Sequence, residues 1–182
     1  MFEAISEAYG SAELGLKKWT QAYLACVAAV DDNVGQVLNA LNESGLDKNT
    51  IVVLASDHGF HMGEKDYLYK NSLWEESTRV PLMIRVPEMT KTNIHIDHSV
   101  SLIDVYPTLL DLCNLSTKTS KNEKGHSLDG TSLVPLLKNP YTEHWDNTKA
   151  ALTVVFAGNE YKDNPSMQHY AIRTEQYRYI LY

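Results

Sequence analysis

An unbroken apolar run, Ile51–Ala55 (IVVLA), leading straight into an aspartate and a histidine constrains this chain more than any other feature. Such a run leaves no polar face for water, which is how a strand covered on both faces of a parallel sheet reads. Sheets of that kind bind ligands beyond the carboxyl ends of their strands. Asp57 and His58 stand at that end, one a hard oxygen donor and the other an imidazole, both able to hold a divalent cation. Gly59 and Gly63 allow the backbone angles that bring a loop close to an ion or anion. Lys70 adds a compact positive charge of the kind that holds tetrahedral oxyanions.

The surrounding pattern alternates helix and strand. Trp19, Tyr23, Cys26, Val27, Val30, Val34, Val37, Leu38 and Leu41 recur at helical spacing and predict an amphipathic helix from about Leu16 to Glu43. Gly45 suits the position just past its carboxyl end, and LDKNT is a tight return into the strand at Ile51. Leu82–Val86, bracketed by Pro81 and Pro87, reads as a second buried strand. Asp104–Leu112 reads as a short helix whose regular part Pro107 should confine to the second half. Residues 117–125 (TKTSKNEKG) form a polar stretch without periodicity, and Leu152–Phe156 is a third strand candidate. From His169 onward the chain is Tyr-rich, with Tyr177 and Tyr179 alternating as in an antiparallel strand.

Composition narrows the function classes. With 182 residues, 43% of them apolar, the chain is long enough to bury a core. A net charge of −7 argues against nucleic acid and leaves no basic patch for anionic membranes. The longest apolar runs, Tyr23–Val30 and Ala150–Ala157, are about eight residues, well short of the roughly 20 that a membrane-spanning helix needs. Met1–Gly15 holds no apolar segment of the signal-peptide kind. Cys26 and Cys113 match no metal or redox spacing and read as small core residues.

The stretch SDHGFHMGEKDYLYKNSLWEESTRVPLMIRVPE resembles the second half of a sulfatase of the alkaline-phosphatase superfamily, on the side of iduronate 2-sulfatase and its bacterial relatives. The flanking AYLACVAAVDDNVGQVLNALNESGL, HSLDGTSLVPLL and AIRTEQYRYI carry the same resemblance, which thus extends over nearly the whole chain. It implies an α/β fold: a partial parallel-sheet sulfatase/alkaline-phosphatase-like core with helices on its faces, followed by the start of a small antiparallel carboxyl-terminal region. Residues 1–116 would be the carboxyl-terminal part of that core. Residues 117–182 would hold the polar loop, a remaining core segment and the start of the antiparallel subdomain.

The resemblance also assigns roles. Asp57 and His58 match two ligands of the family's calcium ion, and Lys70 matches the lysine that contacts the substrate's sulfate group. The nucleophile of such enzymes is a formylglycine made from the cysteine of a Cys-x-(Pro or Ala)-x-Arg pattern. Cys26 is followed by Val-Ala-Ala-Val and Cys113 by Asn-Leu-Ser-Thr, so neither fits. The implied protein is the carboxyl-terminal segment of a sulfuric ester hydrolase, inactive alone, with a sulfate ester such as a sulfated sugar as substrate. The family is typically secreted, periplasmic or lysosomal. Two other readings stay open: a metal-dependent phosphatase or phosphodiesterase of the same superfamily, and a non-catalytic remnant acting by association. An uncovered core face implies self-association in either case.

Neighbouring residues carry competing readings. His61 and Phe60 are further candidates for the substrate site. The spacing of His61 from His58 would suit one metal only if the loop were helical. With glycines on both sides, an ordinary partly exposed histidine is the favoured reading. Phe60 suits a pocket wall and a packing role under the loop equally. Asp31 and Asp32 read as solvated helix residues. A histidine ligand ordinarily points toward zinc or manganese, whereas calcium prefers oxygen, so the choice of calcium rests on the resemblance.

Overall fold

A computed structural model describes residues 2–116, 126–142, 145 and 150–182. They form two compact units, Met1–Pro87 and Glu88–Tyr182. The polar stretch at 117–125 lies outside the described residues.

The first unit opens with helices α1 (Phe2–Tyr9) and α2 (Ala12–Glu43). The Ser11 hydroxyl caps α2 by accepting the Leu14 N–H at 3.2 Å. This cap starts the helix a full turn before Leu16, where the apolar stripe alone begins. The two helices approach where Gly15 has no side chain: a Cβ there would lie 2.0 Å from Cγ2 of the buried Ile5. Farther along, the apolar stripe stays open, with Val30 59% and Val37 68% exposed. Cys26 is exposed with it, contrary to the core role expected.

A 3₁₀ turn, Leu46–Asn49, leads into β1 (Val52–Ala55). Two short strands follow, β2 (His61–Met62) and β3 (Leu68–Tyr69), then the one-turn helix α3 (Glu75–Thr78) and strand β4 (Leu82–Arg85). β4 lies antiparallel to β1, with Val52 opposite Arg85 and Ala55 opposite Leu82. The Arg85 guanidinium ties the pair back to the turn, donating to the Asp47 carbonyl at 2.9 Å. The sequence reading of β1 as covered on both faces needs correcting. Val52, Val53 and Leu54 are half-buried, Ala55 is exposed, and the strand's neighbour among the described residues is antiparallel. A continuous apolar run reports what a strand is able to bury. It carries no information on the direction of the next strand.

The second unit contains helix α4 (Val105–Leu112), helix α5 (Val134–Lys138) and an antiparallel sheet of β5 (Ala151–Val155), β6 (His169–Arg173) and β7 (Arg178–Leu181). A capping box starts the α4 region, the Asp104 carboxylate accepting the Ser101 N–H at 2.8 Å. The other Asp104 oxygen accepts the Thr131 N–H, and Thr108 accepts the Leu133 N–H, each at 2.8 Å. These buried bonds hold α4 against the segment that becomes α5. Pro107 does not confine the helix as expected. It falls in the first turn, where its missing N–H has no intrahelical partner to lose. Cys113 caps the carboxyl end of α4 and is exposed there, outside the core that the sequence suggested for it. Among the described residues, no helix is long and apolar enough to cross a membrane.

Leu136, 1% exposed, is the most buried apolar side chain among the described residues of the second unit. Leu136→Ala should cost about 2–5 kcal/mol, the range for a cavity left by a core leucine. Val37→Ala on the open stripe should stay within about 0.5 kcal/mol. Urea unfolding of both variants against the parent chain checks the contrast.

Candidate functional site

Strand β1 delivers Asp57 and His58 to the surface at its carboxyl end. The Ser56 hydroxyl donates to the His58 carbonyl at 2.7 Å, and the Asp57 carboxylate accepts the His58 N–H at 3.0 Å. These local bonds close the turn tightly after the strand. The His58 ring is held by its Nδ1–H, which donates to the Gly59 carbonyl at 2.9 Å. That bond fixes the tautomer and leaves a lone pair on Nε2. The Lys70 ammonium donates to this Nε2 at 2.8 Å, and an Asp57 carboxylate oxygen lies 3.3 Å from it.

A carboxylate, an imidazole lone pair and an ammonium therefore converge at the end of β1. A ring N–H given to a backbone carbonyl is how metal-ligating histidines are oriented, and here the Lys70 ammonium occupies the other nitrogen. The pair fits a share of a cation's ligands. It does not make a full shell, since calcium takes about 6–8 oxygens. Among the described residues, no group of three or more His, Cys, Asp and Glu side chains is placed to hold a metal ion.

Lys70 reaches His58 because the chain folds back on itself. β2 and β3 pair antiparallel, His61 opposite Tyr69 and Met62 opposite Leu68. The turn between them bends through Gly63 at φ 113, Lys65 at φ 60 and Asp66 at φ 54. Tyr69, directly before Lys70, sits at φ 109, a costly conformation for a bulky residue. Gly59 serves differently from the sequence expectation. Its φ is not positive; what it supplies is room, since a Cβ there would lie 1.9 Å from the Glu76 carbonyl oxygen. The loop docks on α3 at this point, the Gly59 N–H donating to the Ser77 carbonyl at 2.8 Å.

The remaining candidates fall apart from the convergence. Phe60 packs between aromatic rings, 5.7 Å from Tyr23 and 6.0 Å from Tyr69. His61 is fully buried, not partly exposed as its glycine neighbours suggested. The ribbon turns it inward, where Nε2 meets the Ser72 hydroxyl at 2.7 Å and the ring lies edge-on to Tyr67. Asp31 and Asp32 are exposed, as expected, with Asp32 accepting from Gln36. Sequence reasoning passed over Ser72 and Ser77, which link this interior by a 3.0 Å hydrogen bond. A serine between Asn71 and Leu73, or between Glu76 and Thr78, carries no signal of its own.

Comparison with known proteins follows the same residues. The family model described as "Sulfatase" matches residues 6–115, more than half of the chain. The chain belongs to the sulfatase family. A second family model, "N-sulphoglucosamine sulphohydrolase, C-terminal", matches residues 63–182. The chain is 38% identical over 166 residues to a sulfatase of Formosa agariphila, covering 91% of this chain and 29% of that protein. It is 34% identical over 165 residues to the N-acetylglucosamine-6-O-sulfatase of Bacteroides thetaiotaomicron, covering 90% of this chain and 28% of the relative. A solved structure in complex with its substrate D-glucosamine-2-N,6-O-disulfate aligns at a TM-score of 0.70 and 31% identity, over 93% of this chain and 33% of that one. A phosphonate monoester hydrolase from Silicibacter pomeroyi aligns at 0.78 and 22% identity, over 92% of this chain and 33% of that one, which shows the shared fold. The sulfatase-family chain thus spans less than a third of the length of the curated relatives named above.

Glu64 gives the loop a pH dependence. Its carboxylate accepts the Met62 N–H at 2.7 Å. That bond, followed by its own N–H and the nearby His61, holds its pKa below the ordinary glutamate value. A lowered folded pKa contributes stability above the unfolded value, lost as pH falls through the folded one. The parent should lose more stability than Glu64→Gln as pH drops from about 6 to below the usual glutamate range near 4.3. Urea midpoints of the two chains across that window measure the difference.

Proposed function

We propose that this chain carries the cation-binding Asp57–His58 pair and the anion-binding Lys70 of a sulfuric ester hydrolase acting on a sulfated sugar. The observation that carries the reading is the orientation of His58, whose ring bond to Gly59 turns the Nε2 lone pair toward Asp57 and Lys70. The relatives named for sulfated glucosamine support the choice of a sulfate ester on a sugar. Asp57 and His58 would hold a calcium ion, and the ion, when bound, would stabilise negative charge building on sulfate oxygens. Lys70 would neutralise a further sulfate oxygen as a point charge. Neither Cys26 nor Cys113 stands in a formylglycine pattern, so the nucleophile is assigned to no residue of this chain.

Calorimetric titration of the 182-residue chain with calcium tests the reading. Binding weaker than about micromolar is expected from two ligands, and it should vanish in Asp57→Asn. Inorganic sulfate should bind the parent and not Lys70→Ala. Turnover of an aryl sulfate should be absent throughout. A parent chain that binds neither calcium nor sulfate overturns the assignment.

We infer further that the open stripe of α2 carries self-association. Val27, Val30 and Val37 are exposed along it at spacings of three and seven residues, a seam that another helix is able to cover. Light scattering across a dilution series should show dimers or larger species that dissociate on dilution. A monomer at every concentration overturns this.

A further inference from the structure

The fully buried His61 takes no part in the convergence of Asp57, His58 and Lys70, yet it joins the two segments that carry them. From the proposed site reading we infer that His61 is a positioning residue, acting through Ser72 and Ser77 to hold the His58 loop in register with Lys70. The chain of contacts is continuous. The Ser72 hydroxyl donates to the Ser77 hydroxyl at 3.0 Å and accepts the Trp74 N–H at 3.2 Å. With its single proton committed to Ser77, Ser72 receives the His61 ring as a donor, Nε2–H to Oγ at 2.7 Å. The other end of the network lies at the backbone of the same serine, where the Ser77 carbonyl accepts the Gly59 N–H at 2.8 Å. Gly59 in turn offers its carbonyl to the His58 ring.

The second connection runs through the ribbon. His61 lies opposite Tyr69, the residue that presents Lys70. Tyr69 is held at φ 109, which persists only where the surroundings over-determine it. His61 supplies such a constraint from inside, its ring bonded to Ser72 two residues beyond Lys70. Packing alone would need only the volume of the ring. The hydrogen bond from Nε2 is what ties β2 to the Ser72–Ser77 corner, while Nδ1 is buried without a partner.

Hydrogen exchange of the Gly59 amide in the full chain reads the tether without any ligand. Ser72→Ala and His61→Phe, the latter keeping the bulk of the ring, should each lower Gly59 protection by roughly tenfold, the loss of about one hydrogen bond. Amides of the β1–β4 pair should keep theirs. His61→Gln, whose amide is able to donate to Ser72, should restore most of the protection. Unchanged Gly59 protection in Ser72→Ala and His61→Phe, or an equal loss in the β1–β4 pair, overturns the inference. Titration with inorganic sulfate supplies the functional arm. Affinity should fall by roughly tenfold in Ser72→Ala, in step with the Gly59 amide; full affinity despite lost protection overturns the positioning role. A parent chain that binds no sulfate defeats the site reading instead, and the exchange measurement still decides whether His61 holds the loop.

Discussion

The carbonyl of Gly59 accepts the His58 ring N–H at 2.9 Å while its amide donates to the Ser77 carbonyl at 2.8 Å. A single residue thus orients the imidazole and docks the loop that carries it. Each bond is worth about 1 kcal/mol net, so neither is strong alone. Their effect comes from geometry, because they act at opposite ends of one short backbone unit. The close approach to α3 leaves no space for a side chain, since a Cβ would meet the Glu76 carbonyl at 1.9 Å. Remove that approach and the Nε2 lone pair loses its direction, and with it the meeting of Asp57, His58 and Lys70.

This division explains which parts of the site were legible in the sequence. Asp57, His58 and Lys70 announce themselves by chemical type and by following an apolar strand, and the structure brings all three together. Helix α2 is legible from its period, the strand at Leu82 from an apolar run between two prolines, and the last strand from the alternation of Tyr177 and Tyr179, with Leu152–Phe156 a strand candidate that the structure also forms as a strand. What periodicity cannot encode is partnership. The direction of β4 beside β1, the exposure of Cys26, and the tolerance of Pro107 in a first helical turn all depend on neighbours remote in sequence or on exact position within an element. At Gly59 the sequence points to conformational freedom, whereas the fold uses the missing side chain for space.

His61 shows the same limit from the polar side. Local composition, glycines and charges on both sides, favours an exposed ring. The ribbon overrides it by pairing His61 with Tyr69 and turning the imidazole toward Ser72. Burying a ring nitrogen without a partner costs on the order of 1–3 kcal/mol. The Ser72 bond and the burial of Leu68 and Leu73, both almost wholly removed from water, offset that cost. A polar group kept in an apolar corner at such expense restricts the loop to one arrangement, where a leucine of similar size would pack without specifying direction.

The open faces follow from a related distinction. In the carboxyl-terminal sheet, Leu152, Ile172 and Tyr179 form one cross-strand row, and Val154, Tyr170 and Leu181 form the next. Two-residue alternation correctly puts them on one face, yet most of these side chains remain exposed. Pattern tells which residues share a face; only a partner surface decides whether that face is covered. At the site itself the competition is sharper, because a single lone pair on His58 has to serve every claimant. Lys70 holds it at 2.8 Å, and a cation bound by Asp57 and His58 needs the same electrons. An ammonium and a metal ion repel each other as well as compete. A cation held through the His58 Nε2 would therefore have to displace the Lys70 ammonium from it.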